Sequence, residues 1–136
     1  MDPKELMLFD LVRYRTWNMR VTSVNAILDE CMHLCWLHSN VPASIDIYDE
    51  TPGVRPLNIT EHRLIKNGFK KISGKYLKFV GGMRVLEVST ESSTQWRFQY
   101  RVNGHTHFSS YIRFMHQLQQ SLRLAGFMEE ANSFTA

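Results

Sequence analysis

Two residue types are scarce in this chain, and each scarcity closes off a class of protein. Among 136 residues there are only two cysteines and four prolines. Cys31 and Cys35 cannot build the multi-bridge framework that small secreted domains need. The opening MDPKELMLFDLVRYR carries acids early and has no apolar run leading to a small-residue cleavage site. The thiols are therefore expected to stay reduced, and the cytoplasm is the expected location. No stretch reaches the roughly 18 apolar residues of a membrane-crossing helix. Motifs that carry catalysis are also missing: there is no phosphate-cradling Gly-rich loop, no nucleophile elbow and no HExxH. The sequence therefore points away from an enzyme, a cofactor and a membrane.

What is present is globular. Hydrophobic residues make up 43% and charged residues 21% of the chain, enough to bury a core. The net charge of +3 permits a nucleic-acid partner without implying one, because the basic residues are spread along the chain. Their one concentration is Lys66, Lys70, Lys71, Lys75 and Lys78. Thr51-Pro52-Gly53, followed by Pro56, marks a turn or linker. It divides the chain into a lobe over 1–55 and a lobe over 56–136.

The second lobe reads in detail. Thr60 is an N-cap whose hydroxyl can accept from a first-turn amide, and Ile59 and Leu64 fit a hydrophobic staple. Gly68 supplies the left-handed residue past the helix end, with Phe69 folding back on Leu64. A helix over 61–67 follows. Strands are expected over 76–80 and 83–89 around a Gly81-Gly82 turn. In the next strand Trp96, Phe98, Tyr100 and Val102 alternate with Arg97, Gln99, Arg101 and Asn103. That pattern puts an aromatic face inward and a cationic face in water. Asn103-Gly104 is a hairpin pair leading into a short strand over 105–108. Tyr111, Met115, Leu118, Leu122 and Ala125 recur at helical spacing, predicting a covering helix over 110–125 ended by Gly126. The residues after Phe127, like those over 1–4, are expected to fray.

The first lobe reads as short strands over 8–14, 20–24, 35–38 and 45–48, as in a small SH3-like sheet. A competing reading makes 24–37 a helix, because Val24, Ile27, Leu28, Cys31, Leu34 and Cys35 have helical spacing. The fold class expected is α+β: a small β-rich lobe, then helix, antiparallel sheet and covering helix.

Three groups of residues could carry a site. Cys31, His33, Cys35 and His38 hold four zinc-type ligands, but the spacing lacks a C-x-x-C knuckle, and buried thiols are the plainer reading. His105 and His107 alternate on a strand, with His116 on the following helix. No acid stands by as a second partner for a metal-bound imidazole, so a polar strand end is the plainer reading. Arg97, Gln99 and Arg101, with Lys70 and Lys71 on neighbouring segments, form the best candidate contact for a polyanion, against the ordinary alternative of a solvated sheet face.

Two strings also carry a resemblance. Pro56-Leu57-Asn58-Ile59-Thr60-Glu61, Leu64 and Lys66-Asn67-Gly68-Phe69-Lys70-Lys71 resemble the "PLT-E-L-KCGFEK" core of a family of small uncharacterised proteins encoded by phages and mobile elements of gut bacteria. Tyr111 to Gln119 resembles that family's closing "IKYVHQLQNLYFALTG", with His116-Gln117-Leu118-Gln119 identical. Glu5-Leu6 and Asp10-Leu11-Val12 with Tyr14 resemble its opening "ELRIGNLV-Y", although Phe9-Asp10 replaces a Gly-Asn turn. The ending also departs, with Leu124-Ala125-Gly126-Phe127-Met128-Glu129-Glu130 standing where the family has "LTGEEL". The resemblance implies a phage or mobile-element accessory protein and no particular chemistry. The expected partner is a host or phage protein, for instance when the chain inhibits a bacterial defence. A nucleic acid is the alternative, and self-association is compatible with either.

Overall fold

The computed structural model describes residues 7, 10–15, 17–25, 31–36, 44–47 and 54–136, and for 22–25, 31–36 and 44–47 it describes the backbone alone. The architecture is α+β, with two five-stranded antiparallel sheets among the described residues. The first contains β1 (Leu11–Tyr14), β2 (Trp17–Asn25), β3 (Cys31–Trp36), β4 (Ser44–Ile47) and β5 (Val54–Pro56), in the order β4-β3-β2-β1-β5. β1 to β4 form a meander, and β5 returns to pair with β1, placing Arg13 opposite Arg55. This is the pairing order of a small SH3-like sheet, as expected. The helical alternative over 24–37 fails where the backbone is described, because residues 31–36 pair with β2 on one side and β4 on the other. Residues 26–30, 37 and 38 lie outside the described residues, as do 1–4, where fraying was expected. β5 falls inside the stretch that reads as a linker. Its Pro56 is tolerable because β5 is an edge strand, where a missing N–H breaks no ladder.

α1 (Glu61–Lys66) forms as its caps dictate. The Thr60 hydroxyl accepts from Arg63 N at 3.2 Å. At the other end Phe69 N donates to Leu64 O and Gly68 N to Ile65 O, both at 3.1 Å, which is the Schellman closure. Gly68 sits at φ +92°, as that closure requires.

The second sheet runs β10-β9-β8-β7-β6, built from β6 (Lys70–Ile72), β7 (Lys75–Phe79), β8 (Arg84–Thr90), β9 (Trp96–Val102) and β10 (His105–Ile112). β6 is a strand the pattern did not reveal, since three exposed residues show no alternation. Its turn, Ser73-Gly74, has both residues at positive φ, the geometry of a tight hairpin. The next turn is one residue longer than Gly81-Gly82, because Met83 also takes positive φ, so the return strand starts at Arg84.

Two expectations at the C-terminal end are corrected. Residues 110–112 are strand, not helix: Ser110, Tyr111 and Ile112 pair with Phe98, Arg97 and Trp96. The helix α2 (Met115–Leu124) begins only after Phe114, where the Gln117 side chain accepts from Arg113 N at 2.8 Å. The tail after Phe127 is also packed. It forms α3 (Met128–Asn132), and Phe134 is buried edge-on against Phe69. Thr135 N donates to the Asn67 side chain, and Lys66 donates to Ala136 O.

The core lies between the second sheet and α2. Phe98, Leu86, Val88 and Tyr76 from the sheet meet Met115, Leu118 and Leu122 from the helix, with Leu57, Leu64, Phe69 and Phe134 closing one side. Tyr100 packs edge-on against Phe127 at 4.9 Å. The aromatic side of β9 is thus covered at Phe98 and partly covered at Tyr100, while Trp96 at the strand's start stays partly exposed.

α2 is also bolted to the first sheet. Asp10 is fully buried at the start of β1 and receives Arg123 Nη1 at 2.6 Å and Gln120 Nε2 at 2.8 Å. Gln119, also buried, accepts from Leu11 N at 2.9 Å and donates to Ala131 O at 2.9 Å. Much of the His116-Gln117-Leu118-Gln119 string is therefore fastening: Gln117 caps the helix, Leu118 fills the core and Gln119 ties α2 to β1 and α3.

Candidate functional site on the open face of the second sheet

The second sheet has one face under α2 and one face open. Strand alternation decides which side chains lie outside. Arg97, Gln99 and Arg101 of β9 are flanked by Val85, Glu87 and Ser89 of β8 and by Ser109 and Tyr111 of β10. Leu77 and Phe79 of β7 continue this face beyond β8.

The centre of this face is drier than the sequence suggested. Gln99 and Glu87 are each 5% exposed. The Glu87 carboxylate sits between Arg101 Nη2 at 3.5 Å and Lys75 Nζ at 3.6 Å. Arg101 also donates through Nε and Nη2 to Gln99 Oε1, at 2.9 and 2.5 Å. A carboxylate this buried is tolerable only because both cations face it. One strand position along, Arg97 donates to Ser109 Oγ at 3.0 Å, lies 3.8 Å from Glu91 and sits 5.8 Å from the Tyr111 ring centre. A depression of about 370 Å³ runs over these groups, lined also by Ser73, Gly74, Ser89 and Thr90. At its margins large apolar side chains stand in solvent: Phe79 is 66% and Tyr111 62% exposed, with Ile72 and Met83 also open.

The structure brings together only part of the expected site. Arg97, Gln99 and Arg101 do share a face. Lys70 and Lys71 alternate on β6, so they leave opposite sides of the sheet. Lys70 pairs opposite Leu77 on the open side, three strands from β9. Lys71 instead reaches Glu61 at 3.5 Å and the ring of Tyr76. The run of lysines disperses in the same way, with Lys66 on the chain end and Lys78 donating to Asn67 O. Sequence reasoning missed Glu87, although an acid between Leu86 and Val88 in an apolar strand is the available signal.

The histidines do not converge. His105 and His107 are exposed near the hairpin, and a bulge between Thr106 and Phe108 breaks the alternation that would have aligned them. His107 lies beside Tyr100, whereas His116 is buried and stacked on Phe114. Among the described residues no three His, Cys, Asp or Glu side chains are grouped as metal ligands. Cys31, His33 and Cys35 lie on β3, where only the backbone is described, and His38 lies outside the described residues.

No family model, curated protein or solved structure matches the chain. No helix among the described residues is long and apolar enough to cross a membrane.

Proposed function

We propose that this chain is a non-catalytic binding protein that docks a folded protein partner on the open face of the second sheet. The observation that carries the reading is the pairing of two features on that face. Its charges are held in place around the buried Glu87, and Phe79 and Tyr111 stand exposed beside them. Aromatic residues, methionine and arginine are the side chains enriched where proteins meet, and pre-positioned charges select the partner and its orientation. Nucleic acid on the same face would compete with Glu87 and Glu91 for Arg101 and Arg97, which favours the protein reading here. The resemblance to phage and mobile-element proteins supports a cytoplasmic accessory role against a host or phage macromolecule, inhibition of a bacterial defence being one concrete form.

The test is a photo-crosslinking amino acid placed at position 79, compared with the same group at position 124, where Leu124 is at least as open on α2. A discrete adduct from 79 and none from 124 is expected. Equal labelling from both positions would count against the open face.

A further inference from the structure

A second surface differs from the open face in one respect: among the described residues its arginines are paired with no carboxylate. Arg13 of β1 and Arg55 of β5 are direct cross-strand partners. Like charges in that position repel, so the pair costs stability unless an anion lies between them. Arg63 of α1 adds a third positive charge. Burial, and then the charge of Arg13, lower its pKa below the ordinary guanidinium value. Arg113, just after β10, is the fourth. The hydrogen bonds of Arg55, Arg63 and Arg113 go to the backbone carbonyls of Arg15, Asn58 and Thr94. Among the described residues no ion pair joins any of these four to an Asp or Glu.

Arg13, Arg55 and Arg113 line two adjoining depressions that share one floor, and Arg63 is tied to that floor through its hydrogen bond to Asn58 O. Residues 57–59 run beside 113–115, with Asn58 bridged to Phe114 and Met115 N donating to Leu57 O at 2.8 Å. A depression of about 530 Å³ lies on one side of this floor, lined by Arg13, Arg55, Pro56, Asn58 and Phe114. A second, of about 420 Å³, shares Asn58 and Phe114 and continues past Arg113 to Trp96, Thr94 and Ser93. Among the described residues neither lining contains an acid. Phe114 and Trp96 are both partly exposed.

We propose that this groove binds single-stranded nucleic acid, with the arginines on successive phosphates and the rings of Phe114 and Trp96 against bases. Unpaired guanidinium groups at both ends of an elongated channel suit a polyanion better than one phosphate. Aromatic rings along the floor suit unpaired bases, whose faces a duplex hides. The inference stands apart from the protein-docking face, and its failure would leave that reading untouched.

Fluorescence anisotropy with a labelled single-stranded oligonucleotide of about 12 bases and a duplex of the same length tests it. The single strand should bind about fivefold or more tightly than the duplex. Arg55→Glu with Arg113→Glu should weaken single-strand binding about tenfold or more and flatten the log–log salt slope by about 1.4, from ~0.7 per phosphate contact. Arg55→Glu also replaces a like-charge pair by an opposite one, so the loss should come with an unchanged or raised melting temperature. Phe114→Leu should weaken single-strand binding with the salt slope unchanged. Arg84→Glu, half that charge change placed at the far hairpin, should leave it within about twofold, whereas Arg113→Glu alone should weaken it more. Equal affinity for duplex, an equal loss from Arg84→Glu, no loss from Phe114→Leu or no single-strand binding would each overturn the proposal.

Discussion

Replacing Asp10 by alanine removes the acceptor at the joint between β1 and α2. The carboxylate is fully buried and takes hydrogen bonds from Arg123 Nη1 at 2.6 Å, Gln120 Nε2 at 2.8 Å and Met7 N at 2.8 Å. Arg123 itself has a side chain only 8% exposed, and it also donates to Asn132. Breaking a buried ion pair by removing one partner typically costs ~3–5 kcal/mol. At about 2.1 cal/mol/K per residue, the 136 residues give an unfolding entropy of about 0.29 kcal/mol/K, so ~4 kcal/mol corresponds to about 14 °C in melting temperature. Urea and thermal melts followed by circular dichroism measure it. The companion variants are Arg123→Met and the double substitution, which removes both charges together. The double should lose roughly 2 kcal/mol less than the sum of the singles. A single-variant loss below about 1 kcal/mol, or strictly additive losses, would refute the idea that this pair fastens the lobes.

Three further outcomes follow from named contacts. Gln119→Ala should cost about 2–5 kcal/mol in urea unfolding, because it strips partners from the buried Leu11 N–H and Ala131 carbonyl. Gly68→Ala should cost about 1–2 kcal/mol, since φ is +92° and the new Cβ would stand 3.3 Å from Lys78 Cε; no change would discredit the Schellman closure. Burial, then the hydrogen bond and charge of Glu61, raise the Tyr76 hydroxyl above its ordinary pKa of 10.0, with Lys71 opposing. The folded state therefore favours the neutral phenol. That contribution is complete below the unfolded value, about 10, and is lost as pH rises through the folded one. Melting temperature should fall above roughly pH 10 more steeply in the wild type than in Tyr76→Phe, and ultraviolet titration should lose a late-ionising phenol in that variant.

Legibility in the sequence followed the range of the interactions. α1 was readable from both ends because its caps lie within a few residues of it. β9 was readable because its alternation is strict and its aromatic face packs on the core. β6 and β5 were not, since three-residue edge strands owe their form to a neighbour rather than to their own pattern. The helical stripe beginning at Tyr111 misled because Tyr111 and Ile112 suit a strand equally well, and pairing with β9 decided between them. The packed tail was hidden for a similar reason: Phe134 is buried by Phe69, 65 positions away. For the open face, alternation placed Arg97, Gln99 and Arg101 together but could not show Glu87 opposite Gln99. The arginine groove draws on residues about 100 positions apart in the chain, from Arg13 to Arg113, so no local pattern marks it.

The account rests on the open face of the second sheet being where a partner docks. Its most direct measurement is quantitative affinity purification from a lysate of gut bacteria, the host class the family resemblance implies, with the wild type and with Phe79→Ser/Tyr111→Ser. Both side chains are mostly in solvent, so the variant should melt within about 3 °C of the wild type. A protein that co-purifies stoichiometrically with the wild type and drops about tenfold with the variant is the expected result. Undiminished recovery with the variant, or no stoichiometric protein with either form, would contradict it.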